Sequence, residues 1–327
     1  MKNIKIITTA DSGGLIDQMT QVNREFNKIG FNSSIIKINK FKDKQIKKIN
    51  YGDNVIFQMS AYGYQEKGMP LWLVNEIKKL KDKALTLGIF FHELYVKANI
   101  WDPRFIIGII QKYINIKLLN YCDYWITSNS QYARWLKAKS KIKKNYICPV
   151  HSNINHKMTN IKKNKKIAVI FGTEGSRIVI YKKYFKEITS WVLQNNIILF
   201  DVGPKFKNFD LKSLCKDKFN IKIEGKLSSK KVSTLFSKAT YGIFITPDEL
   251  IDKSGVMAAY SFYKICPINL FKIENKNNTI KNYRFLKYFP NLNKKNPNIK
   301  KIIKKNYEFS KKNNLNKLIK TYSINFK

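Results

Sequence analysis

The run from Lys222 to Asn269, KIEGKLSSKKVSTLFSKATYGIFITPDELIDKSGVMAAYSFYKICPIN, leaves few folds open. It reads as strand, helix, strand, loop, helix and strand in close succession, the alternation of an α/β sheet. Ser228 and Ser229 stand where a helix N-cap belongs, and Val232, Leu235 and Phe236 then recur at helical spacing. Tyr241 to Ile245 is a short apolar run, as expected of a buried parallel strand. Its carboxyl end opens into the polar stretch TPDELIDKSG, and a new helix is expected near Ser254 and Gly255. Ligands of open α/β sheets sit beyond the carboxyl ends of strands. A helix N-terminus there presents unpaired N–H groups and a positive dipole end to an anion. Lys253 adds a mobile positive charge, so the loop reads as a seat for a phosphate or diphosphate.

The 327 residues suffice for two domains with cores of their own, and a hydrophobic fraction of 44% with 13% aromatics is that of a folded chain. The formal net charge of +40 invites a nucleic-acid reading. Against it, the lysines are dispersed among Asn and Ile along the whole chain, and no zinc-ligand spacing, RNP-like stretch or basic zipper concentrates them. No nucleic-acid partner is therefore expected. Dispersed lysines suit a bland solvated surface or, as a partner, an anionic membrane surface. Cys122, Cys148, Cys215 and Cys266 lie far apart without a CxxC, as in a cytoplasmic chain with buried thiols. The first apolar run is too short for a signal peptide, and none approaches the roughly 18 to 20 residues of a bilayer span. The expected location is the cytoplasm, at the inner face of the membrane if peripheral.

Ile4 to Thr8 reads as a first buried strand, followed by a Gly13-Gly14 turn, an amphipathic helix closed by Gly30, and a second strand. It is a doubly wound opening without the dinucleotide fingerprint, because GxGxxG is absent. Asn54 to Ser60 is the next strand, and Pro70 fits the first turn of a helix carrying Leu71, Leu73, Val74 and Ile77. The loop between holds Tyr62 and Tyr64, rings of the kind a sugar or base pocket uses, or ordinary packing. A further buried strand ends in Phe91-His92-Glu93, two adjacent titratable side chains that point to opposite sides of the chain. The helix after Phe105 is apolar on most sides, which suits core packing or docking on a bilayer surface. The polar run His151 to Lys166 reads as a linker, giving domains 1–155 and 156–327, with a last helix that crosses back to the first domain. The second domain opens on a strand, Ile167 to Phe171, that meets Gly172, Gly175 and Arg177, a second anion-friendly corner that lacks the P-loop spacing. Beyond Asn269 the pattern fades into a polar Lys/Asn-rich stretch.

With both halves read, the chain resembles GT-B glycosyltransferases of the family 4 (group 1) type, in SAYGYQEKGMPLWL, FFHELYV, FGTEGSR, GKLSSKKVSTLFSKATYGIF and TPDELIDKSGVMAAYSFYKICPIN. The resemblance implies two Rossmann-like domains facing across a cleft. A nucleotide-sugar donor would sit in the second domain and an acceptor in the first, without cofactor or central divalent metal. It implies that Lys253, Ser254 and Gly255, with Gly172, lie against the donor diphosphate, and that Arg177 helps neutralise it. Asp252 and Glu249 would stand near sugar or ribose hydroxyls. His92, with Glu93 beside it, would lie near the reacting carbon, and Gly13, Gly14, Tyr62 and Tyr64 on the acceptor side. The family spaces two glutamates eight positions apart. Eight beyond Asp252 stands Tyr260, and eight beyond Glu249 stands Met257, so the second glutamate is missing. The expected function is sugar transfer to a glycan or lipid-linked acceptor in surface-polysaccharide synthesis. A non-catalytic nucleotide- or glycan-binding member and a basic nucleic-acid binder are the alternatives.

Overall fold

The computed structural model describes residues 2–9, 14–38, 48–154, 163–215, 220–271, 284–287, 289–290, 292 and 297–327. They form two compact units, Met1–Pro149 with Asn313–Lys327, and Val150–Lys312.

The first unit runs β1 (Asn3–Thr9), α1 (Gly14–Lys28), β2 (Asn32–Ile38), β3 (Asn54–Met59), α2 (Ala61–Tyr64), α3 (Trp72–Lys83), β4 (Thr86–Phe91), α4 (Arg104–Tyr121), β5 (Tyr124–Thr127), α5 (Ser130–Lys139) and β6 (Asn145–Ile147). Its six strands are all parallel, in the order β2-β1-β3-β4-β5-β6. Every residue of β3, β4 and β5 is buried, because helices cover both faces and successive side chains enter opposite cores. Phe57, Ile89 and Phe91 join one core, and Ile56, Phe90 and Ile126 the other.

The second unit runs β7 (Asn164–Phe171), α6 (Glu174–Asn195), β8 (Ile198–Val202), α7 (Leu211–Cys215), β9 (Ile221–Gly225), α8 (Ser229–Lys238), β10 (Ala239–Phe244), α9 (Gly255–Phe262), β11 (Cys266–Asn269) and α10 (Pro297–Lys312). The strands, again parallel, lie in the order β11-β10-β7-β8-β9. The polar reading of the stretch beyond Asn269 is corrected by α10: lysines hide a stripe in which Ile302 and Asn306 are buried. The loop after β10 is also more ordered than its composition suggests, since Asp248–Lys253 winds into a 3₁₀ helix.

Helix α11 (Leu315–Ser323) belongs to the first unit. Tyr322 and Phe326 are buried there around Phe26, at ring separations of 6.1 and 5.6 Å.

Both sheets reverse strand order once, between β1 and β3 and between β7 and β10. Those are the topological switch points, where the carboxyl ends leave a crevice.

Candidate functional site

In the second unit, β7 ends at Gly172 and the chain after β10 arrives at Ser254, so the crevice lies between these residues. Ser254 is extended and caps α9, its Oγ accepting from Met257 N at 3.2 Å. The helix has no acidic residue in its first turn, and the N–H groups of Gly255 and Val256 precede its first intrahelical hydrogen bond. A Cβ added to Gly172 would stand 2.9 Å from Ser176 Oγ and 3.8 Å from Val256 Cγ2. The turn after β7 and the start of α9 therefore lie at contact distance, and the tight approach at Gly172 is to Ser176 of its own turn.

Arg177 sits behind this turn, 1% exposed. Its guanidinium pairs with Asp201 on β8, donates to the Pro204 carbonyl and lies 4.2 Å from the centre of the Phe206 ring. Tyr181 Oη donates to the other Asp201 oxygen at 2.9 Å. Burial raises the Asp201 carboxyl pKa, while Arg177 and Tyr181 pull it down. With a guanidinium in contact, the carboxylate is the form that satisfies the geometry. Arg177 is thus already neutralised by Asp201. Its Nε has no hydrogen-bond partner among the described residues. A Cβ at Gly203 would collide with the Gly172 carbonyl and stand 2.7 Å from that nitrogen. A cavity of about 360 Å³ opens beside it, lined by Gly203, Phe206, Phe209, Lys212, Glu224 and Gly225 among others. These residues, at the ends of β8 and β9, were not singled out in the sequence. The Gly203-Pro204 pair after a strand was the available signal.

Asp252 pairs with Arg284, and Asp248 with Lys287. Asn269 Nδ2 donates to Asp248 at 3.1 Å and to the Thr246 carbonyl at 2.8 Å, while Asn269 Oδ1 accepts from Thr246 N. Two of the loop's carboxylates are therefore neutralised by cations from one later segment. Glu249 is exposed on the same loop and Lys253 is half-buried.

In the first unit His92 follows β4 and is buried. Its backbone N donates to the Met59 carbonyl, tying it to the end of β3. The ring stacks on Phe90, 4.1 Å between centres, and Nε2 meets Gln58 Oε1 at 2.5 Å. Gln58 Nε2 donates to Tyr322 Oη at 3.3 Å. The amide oxygen only accepts, so Nε2 carries the proton and Nδ1 is the basic nitrogen of the neutral ring. Glu93 is half-buried next to it.

The two tyrosines of the loop before Pro70 part company. The short α2 puts Tyr64 in the core, where its Oη donates to the Gln58 carbonyl at 2.7 Å and its ring stacks on Phe57. Tyr62 is 43% exposed. Gly14 begins α1, and Gly13 lies outside the described residues. His92, Gln58 and Tyr322 thus form one group in the first unit, and Gly172, Gly203, Arg177, Ser254 and Gly255 form another in the second.

The sequence matches no protein-family model and no curated protein. Solved structures do resemble the chain. An α-glucosyltransferase (AGT) in complex with UDP superposes with a TM-score of 0.55 at 12% identity, over 100% of this chain and 95% of that one. An α-glucosyltransferase with UDP and a 13-mer DNA containing a central A:G mismatch gives 0.55 at 10% identity, covering 100% and 92%. One with UDP-glucose and DNA containing an abasic site gives 0.52 at 11% identity, covering 99% and 93%. At these identities the likeness is one of fold: two parallel α/β units of the GT-B kind.

Proposed function

We propose that the protein is a glycosyltransferase whose second unit holds a nucleoside diphosphate sugar. The observation that carries this is the meeting of the Gly172 turn with the N-terminus of α9 at the β7–β10 switch point, next to the aromatic-lined cavity. The diphosphate would lie across the N–H groups of Gly255 and Val256, with Lys253 alongside, and the nucleoside in the cavity at Gly203 and Phe206. When the anomeric C–O bond breaks, the departing diphosphate gains negative charge, and preorganised N–H groups stabilise it in the transition state. The acceptor hydroxyl must lose a proton. His92, held in one tautomer by Gln58, is the group of the first unit suited to accept it. UDP is the first nucleotide to try, because the α-glucosyltransferases of like fold were solved with UDP or UDP-glucose.

The acceptor we favour is a glycan or lipid-linked glycan of surface-polysaccharide synthesis. A DNA acceptor is the second reading, favoured by the net charge of +40 and by the two like-folded structures that contain DNA. A thermal-shift screen against UDP, GDP, ADP and CMP tests the donor site, since ligand at about a hundred times its dissociation constant adds roughly 2.7 kcal/mol. The expected result is a rise with one nucleoside diphosphate. Turnover of its sugar conjugate should then fall at least tenfold in Lys253→Ala. Binding without turnover on any acceptor would select the non-catalytic reading, and silence from every nucleotide would contradict the donor site. Transfer of label to duplex DNA rather than to lipid-extractable material would select the second acceptor.

A further inference from the structure

The turn that leads into α9 carries three acids in five residues, Asp248, Glu249 and Asp252. So much negative charge is a poor neighbour for an anion. Asp252 stands three Cα steps before Gly255, within about 11 Å, which is close to the Debye length of about 10 Å at 0.1 M salt. Its backbone is also tied in place. The Asp252 carbonyl accepts from Val150 N at 2.9 Å, and Ile251 before it is buried in the same core as Met257 of α9. The chain therefore cannot carry this carboxylate away from the start of the helix. A diphosphate can settle there only where the charge of Asp252 is answered.

Arg284 answers it, and the place of Arg284 is set from another element. Its guanidinium pairs with Asp252. Nε donates to Asn306 Oδ1 at 3.3 Å, and the guanidinium carbon stands 3.8 Å from the centre of the Phe309 ring. The Arg284 carbonyl accepts from Asn306 Nδ2 at 2.5 Å, and Asn306 is fully buried in α10. Two residues on, Leu286 lies along β11: its N donates to the Pro267 carbonyl and its carbonyl accepts from Asn269 N, both at 2.8 Å. The same segment brings Lys287 to Asp248. Glu249, the third acid, is exposed, where water and salt screen it. A pair open to water on its carboxylate side adds little to stability. Holding the guanidinium through α10, over one carboxylate of this turn, points instead to control of the charge beside the anion seat. In that arrangement Asp252 is spent on Arg284 and is not offered to sugar hydroxyls.

We infer that Arg284 is a positioning residue of the donor site: without touching the donor, it cancels the charge of Asp252 and so lets a diphosphate settle at the start of α9. The inference rests on the proposed donor site. The test is titration with UDP, which lacks the sugar, by calorimetry, and with uridine, which lacks the diphosphate, by saturation-transfer NMR. Arg284→Ala should weaken UDP about tenfold and leave uridine unchanged, because an uncovered carboxylate at this range repels only the charged ligand. The loss should shrink as salt is raised. Arg284→Lys keeps the charge and should stay within about twofold of the unaltered protein. Adding Asp252→Asn to Arg284→Ala should restore UDP affinity. A purely structural Arg284 gives the opposite pattern, in which UDP and uridine weaken together and Asp252→Asn rescues neither. That pattern, or unchanged UDP affinity in Arg284→Ala, would overturn the inference and leave the donor site standing. Failure of the unaltered protein to bind UDP would count against the donor site itself, and the inference would fall with it.

Discussion

The two units share a doubly wound parallel sheet, yet their switch-point ends are built from different chemistry. In the first, imidazole, amide and phenol stand in series through Gln58 and Tyr322, with the Glu93 carboxyl next in the chain. In the second, the cations and carboxylates pair with one another, Arg177 with Asp201, Arg284 with Asp252 and Lys287 with Asp248. The difference teaches how each end can treat a ligand. A neutral relay can hold or accept a proton at a fixed nitrogen. A region whose Arg177, Arg284 and Lys287 are each paired with a carboxylate leaves its anion binding to backbone N–H groups.

The comparison breaks most visibly at Asp201. Asp201→Asn leaves the Arg177 guanidinium buried without its counter-charge, and breaking a buried pair from one side costs about 3–5 kcal/mol. Urea denaturation should show that loss, and an unchanged midpoint would mean the pair does not hold the second unit together. The next effect concerns pH. His151, buried at the start of the second unit, has its pKa pushed down to about 4 by burial. Its folded value lies below its unfolded one, so the unfolded chain takes up the proton first. Stability is complete above about pH 6.5 and falls as pH drops toward 4, by roughly 3 kcal/mol in all. His151→Gln should flatten that acid limb, and identical limbs in denaturation at pH 7 and pH 4.5 would refute the assignment. The smallest effect lies in the neutral relay. Tyr322→Phe removes the oxygen that accepts from Gln58, loosening the orientation of His92 by a hydrogen bond of about 1 kcal/mol. Donor binding should stay as it is while turnover falls about fivefold, and a loss of donor affinity instead would place Tyr322 outside this role.

Much of this arrangement is legible in the sequence because its signals are local. Apolar runs marked the buried strands, and Ser254 before Gly255 marked the cap of α9 and the position of its free N–H groups. What was not legible depends on contacts made at a distance. Arg177 carries no sign of Asp201, which stands 24 residues on and on the neighbouring strand. Asp252 gives no hint of Arg284, 32 residues on. The resemblance put Asp252 near sugar hydroxyls, and residue type offered Tyr64 to a ligand. Packing shows one carboxylate in an ion pair and one phenol inside the core. In α10, Ile302 and Asn306 were masked by the lysines around them, since helical periodicity is hard to see where most positions are polar. Helix α4 was legible as an apolar helix, but its buried side is set by contacts at a distance, such as Gln111 Nε2 on the Gly68 carbonyl.

The central claim is that backbone N–H groups at the start of α9 hold a diphosphate. Gly255 is the first residue of the helix, a Cβ there meets nothing within 4 Å, and Ser254 before it is extended at φ −81° and ψ 111°. Proline is tolerated at such a position and needs such a predecessor, so Gly255→Pro deletes one N–H while keeping the helix. Gly255→Ala keeps the N–H. Calorimetric titration with UDP should give the alanine variant the affinity of the unaltered protein. The proline variant should bind about ten- to a hundredfold more weakly, the worth of one hydrogen bond to a charged group. Equal UDP affinity in all three proteins would contradict the claim.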